Sequence, residues 1–160
     1  MGKLNSSLFS SKDQTWETPL ALFDRLNNVF GFETDVCALP ETAKCENYYT
    51  PEIDGLAQEW EGYCWMNPPY GREQAKWIAK ASESSNATTV CLIPARPDTK
   101  AWQEIIFPNA RAICFIKGRL KFGNSKDSAP FPSALVVFGN DITESQEECF
   151  KSLGSLVQVC

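Results

Sequence analysis

The chain contains no histidine, which removes Ser-His and Cys-His nucleophilic chemistry and the commonest zinc-ligand sets. Its seven cysteines form no C-x-x-C pair. Cys37, Cys64, Cys91 and Cys114 fall in apolar, strand-like stretches where a thiol behaves as a small hydrophobic residue. No metal site is expected, and reduced cysteines fit an intracellular protein. No apolar run approaches the roughly 18 residues that suggest a bilayer span. The start, Met1-Gly2-Lys3-Leu4-Asn5-Ser6-Ser7, lacks the hydrophobic stretch of a secretion signal. The expectation is a soluble, cytoplasmic protein with no membrane partner.

Positive charge is scarce overall. The net charge of −5 argues against a protein that binds nucleic acid by bulk charge alone. Its distribution is uneven, however. Between Arg96 and Lys126 stand seven basic residues (Arg96, Lys100, Arg111, Lys117, Arg119, Lys121 and Lys126) against two acidic ones, Asp98 and Glu104. Such a cluster is either a solvated face or the footprint of a polyanion.

At 160 residues with 43% apolar side chains, the chain forms one domain with a full core. Residues 1–15 are polar and Ser-rich and read as a flexible arm, leaving 16–160 as the domain. Thr18-Pro19 reads as a helix start, with Thr18 as N-cap and Leu20, Phe23, Leu26 and Phe30 at helical spacing before Gly31. Phe32 to Ala38 alternates like a strand; Ala43-Lys44-Cys45 reads as a helical turn, Tyr48-Tyr49-Thr50 as a short strand, and Asp54-Gly55-Leu56 as a turn. Gly62 to Met66 and Thr88 to Pro94 read as buried strands, with a helix over Gln74 to Ala81 between them. Asp98 is expected to cap a helix reaching Phe107. Ala112 to Lys117 and Ser133 to Phe138 have no helix between them and are expected to pair antiparallel. Thr143-x-x-Gln146 has the form of a capping box for a last helix ending at Gly154, and a strand over Leu156 to Cys160 fits beyond it. Strand, helix, strand, helix and a closing hairpin define a three-layer α/β fold of Rossmann-like type, its mostly parallel sheet closed by an antiparallel C-terminal hairpin.

The organising stretch is Tyr63-Cys64-Trp65-Met66-Asn67-Pro68-Pro69-Tyr70-Gly71. An apolar strand stops at two prolines, which cannot continue a ladder, so Asn67 belongs at a strand's carboxyl end with Tyr70 beside it. A side-chain amide, proline-fixed carbonyls and an aromatic face suit a planar ligand with an exocyclic amine. The tetrapeptide Asn67-Pro68-Pro69-Tyr70 resembles the motif of S-adenosylmethionine (SAM) dependent amino-methyltransferases, and by itself it also fits a plain structural turn. Asp35, Asn67 and Pro94-Ala95-Arg96 all fall at expected strand ends, where sheets of this class hold ligands.

Eight blocks recur in one order: Trp16-Glu17-Thr18-Pro19, Asp35-Val36-Cys37-Ala38, Asp54-Gly55-Leu56, Trp60, Asn67-Pro68-Pro69-Tyr70-Gly71, Pro94-Ala95-Arg96-x-Asp98-Thr99, Gly118-Arg119-Leu120-Lys121-Phe122 and Ala129-Pro130-Phe131-Pro132-Ser133. Together they resemble the phage-type, Dam-like DNA adenine-N6 methyltransferases. The resemblance implies SAM as cofactor, double-stranded DNA as partner and a phage or prophage origin. Thr18 and Pro19 would meet the methionine end of SAM, Asp35 with Cys37 and Ala38 its amino or sugar groups, and Asp54 its adenine. Asn67, Pro68, Pro69 and Tyr70 would hold the target amine and base. Arg96, Lys100, Lys117, Arg119, Lys121 and Lys126 would contact phosphates. Asp35-Val36-Cys37-Ala38 departs from the glycine-rich form of the first SAM motif, and no acidic residue after Tyr48-Tyr49 is placed for the ribose hydroxyls. Such a chain is expected to act as a monomer with short or relaxed sequence preference. The same tetrapeptide also serves enzymes acting on RNA bases or on a protein glutamine amide, and an inactive DNA-binding module of this fold remains a third reading.

Overall fold

The computed structural model describes residues 17–123 and 127–159, so the expected N-terminal arm, Lys126 and Cys160 lie outside the described residues. The fold is mixed α/β around a seven-stranded sheet. Its strands are β1 (Thr34–Asp35), β2 (Asn47–Tyr48), β3 (Gly62–Met66), β4 (Ala87–Pro94), β5 (Ala112–Ile116), β6 (Ser133–Phe138) and β7 (Gly154–Gln158). They lie in the order β2-β1-β3-β4-β6-β5-β7. The first four run parallel; β6 is antiparallel to both β4 and β5, and β7 is antiparallel to β5. The β5–β6 pair is therefore a hairpin whose second strand inserts next to β4, and β7 forms the outer edge beyond it.

Helices cover both faces. α1 (Leu20–Phe30) and α4 (Glu144–Leu153) lie on one face, where Leu22, Phe23, Leu26, Phe30 and Phe150 pack on Trp65, Val90 and Leu135. α2 (Gln74–Glu83) and α3 lie on the other; α3 comprises Trp102–Ile106, wound as a π-helix, and the α-helical turn Phe107–Asn109. Trp77, Ile78, Trp102 and Ile106 pack there on Cys64, Met66, Cys91 and Ile93. All eight residues of β4 are buried, as a central strand covered on both sides requires. Among the described residues, no helix is long and apolar enough to cross a membrane.

Several local expectations change. Thr18 is not the N-cap of α1. Pro19 occupies that position with no side-chain cap, and its carbonyl accepts the Phe23 N–H at 3.1 Å. Leu20 faces solvent, and Leu22 takes its place on the apolar stripe. Ala43-Lys44-Cys45 is not helical, because the Lys44 backbone N–H is drawn to the Asp35 carboxylate at 3.0 Å. Thr99 rather than Asp98 stands at the head of the α3 segment, its Oγ1 accepting the Trp102 N–H at 3.4 Å. The capping box on α4 forms in full: Gln146 N–H donates to Thr143 Oγ1 at 3.2 Å, and Thr143 N–H to Gln146 Oε1 at 2.9 Å.

Candidate active site

From β1 the chain moves outward to β2, then returns across β1 to β3 and on to β4. The strand order thus reverses between β1 and β3, and α/β sheets hold ligands beyond the carboxyl ends of strands at such a point. Asp35 closes β1, and Asn67 follows Met66 at the end of β3. Their ladder sets Asp35 opposite Trp65, two residues before Asn67.

Asp35 is buried, with 3% of its surface exposed. Its Oδ2 accepts the Lys44 N–H at 3.0 Å and its Oδ1 the Cys37 N–H at 3.3 Å. Burial lifts the carboxyl to about 7; those two backbone bonds and the Lys44 charge pull the other way without offsetting it. Burial and the neighbouring Asp35 push the Cys37 thiol up to about 12, so it remains a neutral wall residue. Thr18, Asp35, Cys37, Lys44 and Asn67 line one small polar cleft of about 50 Å³ together with Glu17. The Lys44 ammonium meets Glu17 at 3.2 Å in that cleft.

Thr18 and Asn67 come together directly. Asn67 Nδ2 donates to Thr18 Oγ1 at 3.0 Å, with both residues buried. Pro19 sits beside them at the head of α1.

A second cleft of about 270 Å³ adjoins the first, the two sharing Cys37 and Leu39. Ala38, Tyr49, Leu56, Pro69 and Trp77 give it apolar walls, and Asp54 supplies a carboxylate. Asp54 has a φ of 63°, a left-handed conformation that Asp tolerates better than most residues. Its Oδ1 accepts the Leu56 N–H at 3.2 Å, so the turn reading holds while the residue also faces the cleft. Gly55 is required there: an added Cβ would meet the Val36 carbonyl oxygen at 2.1 Å.

The double proline turns the chain so that Tyr70 packs on the α1 side of the sheet. Its ring meets Phe131 edge-on at 5.1 Å and Phe122 at 6.4 Å, and only 8% of the residue is exposed. The Arg96 guanidinium lies 5.7 Å from the centre of the Phe131 ring. Tyr70, Arg72 and Arg96 also open onto a third hollow between the starts of α2 and α3, about 320 Å³ in volume.

Strand direction sorts the basic cluster. β4 and β5 point the same way, so Arg96 after β4 and Lys117, Arg119 and Lys121 after β5 leave the sheet at the edge that carries Asp35 and Asn67. All four are exposed, as is Lys100 at the start of the α3 segment. Arg111 precedes β5 and lies at the opposite edge, where it pairs with Asp141 at 3.4 Å. Among the described residues, no group of three or more Cys, Asp or Glu side chains is placed to hold a metal ion.

Lys44, Phe122 and Phe131 stand at the candidate site without being singled out by the sequence. Phe122 and Phe131 sat inside recognised blocks with no role assigned, and nothing local marks Lys44, whose backbone partner is nine residues away.

Buried polar groups from two adjacent strand ends, a two-part cleft and exposed basic residues at the same sheet edge make this the candidate site of an α/β protein. Comparison with known proteins makes this specific. The chain belongs to the DNA N-6-adenine-methyltransferase (Dam) family, whose profile matches residues 5–152. It is 35% identical over 140 residues to the DNA N-6-adenine-methyltransferase of Haemophilus phage HP1 (strain HP1c1), a match covering 81% of this chain and 80% of that protein. It is 32% identical over 110 residues to the DNA N-6-adenine-methyltransferase of Escherichia phage T1, covering 66% and 45% respectively. Membership of this family implies a methyl donor and DNA as the substrate.

Proposed function

We propose that this protein transfers the methyl group of SAM to the exocyclic N6 amine of adenine in double-stranded DNA. The observation that carries the reading is the placing of Asp35 and Asn67 at the carboxyl ends of adjacent parallel strands where the strand order reverses. Family membership supplies the reaction class.

The residues present fit the cofactor. The buried carboxylate of Asp35 suits its amino group, Thr18 and Pro19 suit the methionine end, and small Cys37 and Ala38 leave the floor open where glycine is absent. The apolar cleft with Asp54 at its rim suits a purine carrying an amino group. When bound, SAM supplies an electrophilic methyl on a sulfonium.

An adenine amine is a poor nucleophile because its lone pair is delocalised into the ring. The Asn67 amide oxygen and the Pro68 carbonyl accept its two N–H bonds and favour a pyramidal nitrogen. As nitrogen gains positive charge during attack, both acceptors bind the transition state better than the ground state, and the surplus N–H proton then leaves to water. No covalent enzyme intermediate is required. In duplex DNA the amine is paired, so the base is flipped out of the stack. Pro69 shapes the turn that brings Tyr70, with Phe131 against it, to the base. Arg96, Lys100, Lys117, Arg119 and Lys121 hold the phosphates at the same edge.

The test is methyl transfer from labelled SAM to unmethylated duplex DNA, with digestion to nucleosides, run beside Asn67→Ala. Label in N6-methyladenine that the variant abolishes is the expected result. A protein that binds SAM but leaves adenine unlabelled would instead act on RNA bases or a protein amide.

A further inference from the structure

We infer that Thr18 is a positioning residue that decides which end of the Asn67 amide faces the target amine, a role that rests on the activity proposed above. A primary amide is two-faced. Its oxygen only accepts and its nitrogen only donates, yet a half-turn about the last side-chain bond exchanges them with almost no change of shape. Only the oxygen serves an incoming amine; the turned amide would set N–H against N–H. A site built on Asn rather than Asp therefore needs a device that sorts the two ends.

The structure places one at Thr18. Its Oγ1 takes a hydrogen from Asn67 Nδ2 at 3.0 Å, across 49 residues of sequence and with both residues buried. A hydroxyl can donate as well as accept, so it sorts only if its own proton is committed elsewhere. Thr18 lines the polar cleft with Glu17 and Asp35, two carboxylates that are acceptors when ionised. A Thr18 proton directed to an acceptor in that cleft would leave its oxygen to accept from Asn67 Nδ2 and the Asn67 oxygen to turn to the target side. Thr18 is free for this contact because the cap position of α1 is held by Pro19, one residue on.

The experiment compares Thr18→Val, Thr18→Ala and Thr18→Ser for steady-state transfer, for SAM binding by calorimetry, and for base extrusion by the fluorescence of 2-aminopurine at the target position. Thermal unfolding confirms that each variant is folded. Removing the hydroxyl is expected to lower kcat by about 10- to 100-fold, the scale of one misdirected buried hydrogen bond. SAM affinity should fall by less than kcat, because Pro19 and Asp35 still face the cofactor, whereas base extrusion should weaken as the turned amide sets N–H against the flipped amine. Thr18→Ser should restore most of the lost rate.

The sharper comparison is in an Asn67→Asp background, where a carboxylate offers oxygen at either end and nothing needs sorting. There Thr18→Val should cost less than about threefold, a large coupling between the two positions. Loss of SAM affinity with kcat intact would overturn the role and leave Thr18 as a cofactor contact. An equal loss in both backgrounds, or no rescue by serine, would show a merely structural residue. If Asn67→Asp is too slow to assay, the kcat-against-affinity split and the serine rescue decide alone. An active wild type with any of these contrary results sinks only the positioning role; a wild type that labels no adenine sinks the activity itself and this role with it.

Discussion

Trp60 donates its buried indole N–H to the Gly55 carbonyl at 2.9 Å and stacks on Trp77 with ring centres 6.2 Å apart. This pair holds the turn that carries Asp54 and Leu56 against the larger cleft. Trp60→Phe keeps most of the ring contact and leaves the Gly55 carbonyl buried without that donor. The expected cost is about 1–3 kcal/mol in a urea titration, with weaker SAM binding and unchanged DNA affinity. Equal losses of SAM and DNA binding would place Trp60 in the general core instead.

Asp35 predicts a pH dependence of defined sign. Its carboxyl sits near 7 when folded, raised by burial, against about 3.9 in an unfolded chain. Between those values the folded protein holds a proton that the unfolded chain has released. Stability from this group therefore falls as pH rises from about 4 to 7 and is level above that. Denaturant titrations of the cofactor-free protein across this range should show the fall, and Asp35→Asn should remove it. A cationic amino group pairs only with the ionised form, so SAM affinity should strengthen up to about pH 7 and the variant should flatten that rise.

Tyr70 and Phe131 should separate packing from chemistry. Tyr70→Ala empties a buried ring position and is expected to destabilise by about 3–5 kcal/mol, with loss of transfer. Tyr70→Phe retains the ring and should remain folded and active at a reduced rate. If Tyr70→Phe were as inactive as Asn67→Ala, the phenol oxygen rather than the ring would be the functional group.

Salt dependence should sort the cationic residues by sheet edge. Each phosphate contact removed lowers the slope of log K against log salt by about 0.9. Lys117→Ala and Arg119→Ala should each lower it by roughly that amount. Arg111→Ala, at the opposite edge and paired with Asp141, should leave it unchanged. Equal effects from all three would mean that DNA is held by overall charge rather than by this edge.

What could be read from the sequence follows the range of the forces involved. β4 and β6 are long apolar runs, α2 carries Trp77, Ile78 and Ala81 at helical spacing, and the α4 capping box is complete within four residues. These elements and the strand-end position of Asn67 are legible because their causes are local. β1 is harder: its ladder spans only Thr34–Asp35, because the chain then bends to wrap the carboxylate. The Thr18 hydroxyl was misread as a cap because its partner is distant in sequence. Arg96 and Arg111 look alike along the chain, and only the running direction of β4 and β5 sends them to opposite ends of the molecule. The aromatic packing of Tyr70 on Phe131 likewise depends on a hairpin that brings residues 61 positions apart into contact.

The division between ladder and hairpin has an evolutionary consequence. The groups assigned to transfer sit at the ends of β1 and β3, fixed by pairing with their neighbours, whereas most of the cationic residues ride on the connection from β5 to β6. Lengthening that connection between Phe122 and Phe131 leaves the Asp35–Trp65 register untouched so long as both rings stay on Tyr70. On the function proposed above, a lineage under pressure to mark different DNA can therefore vary that connection while inheriting the same strand ends.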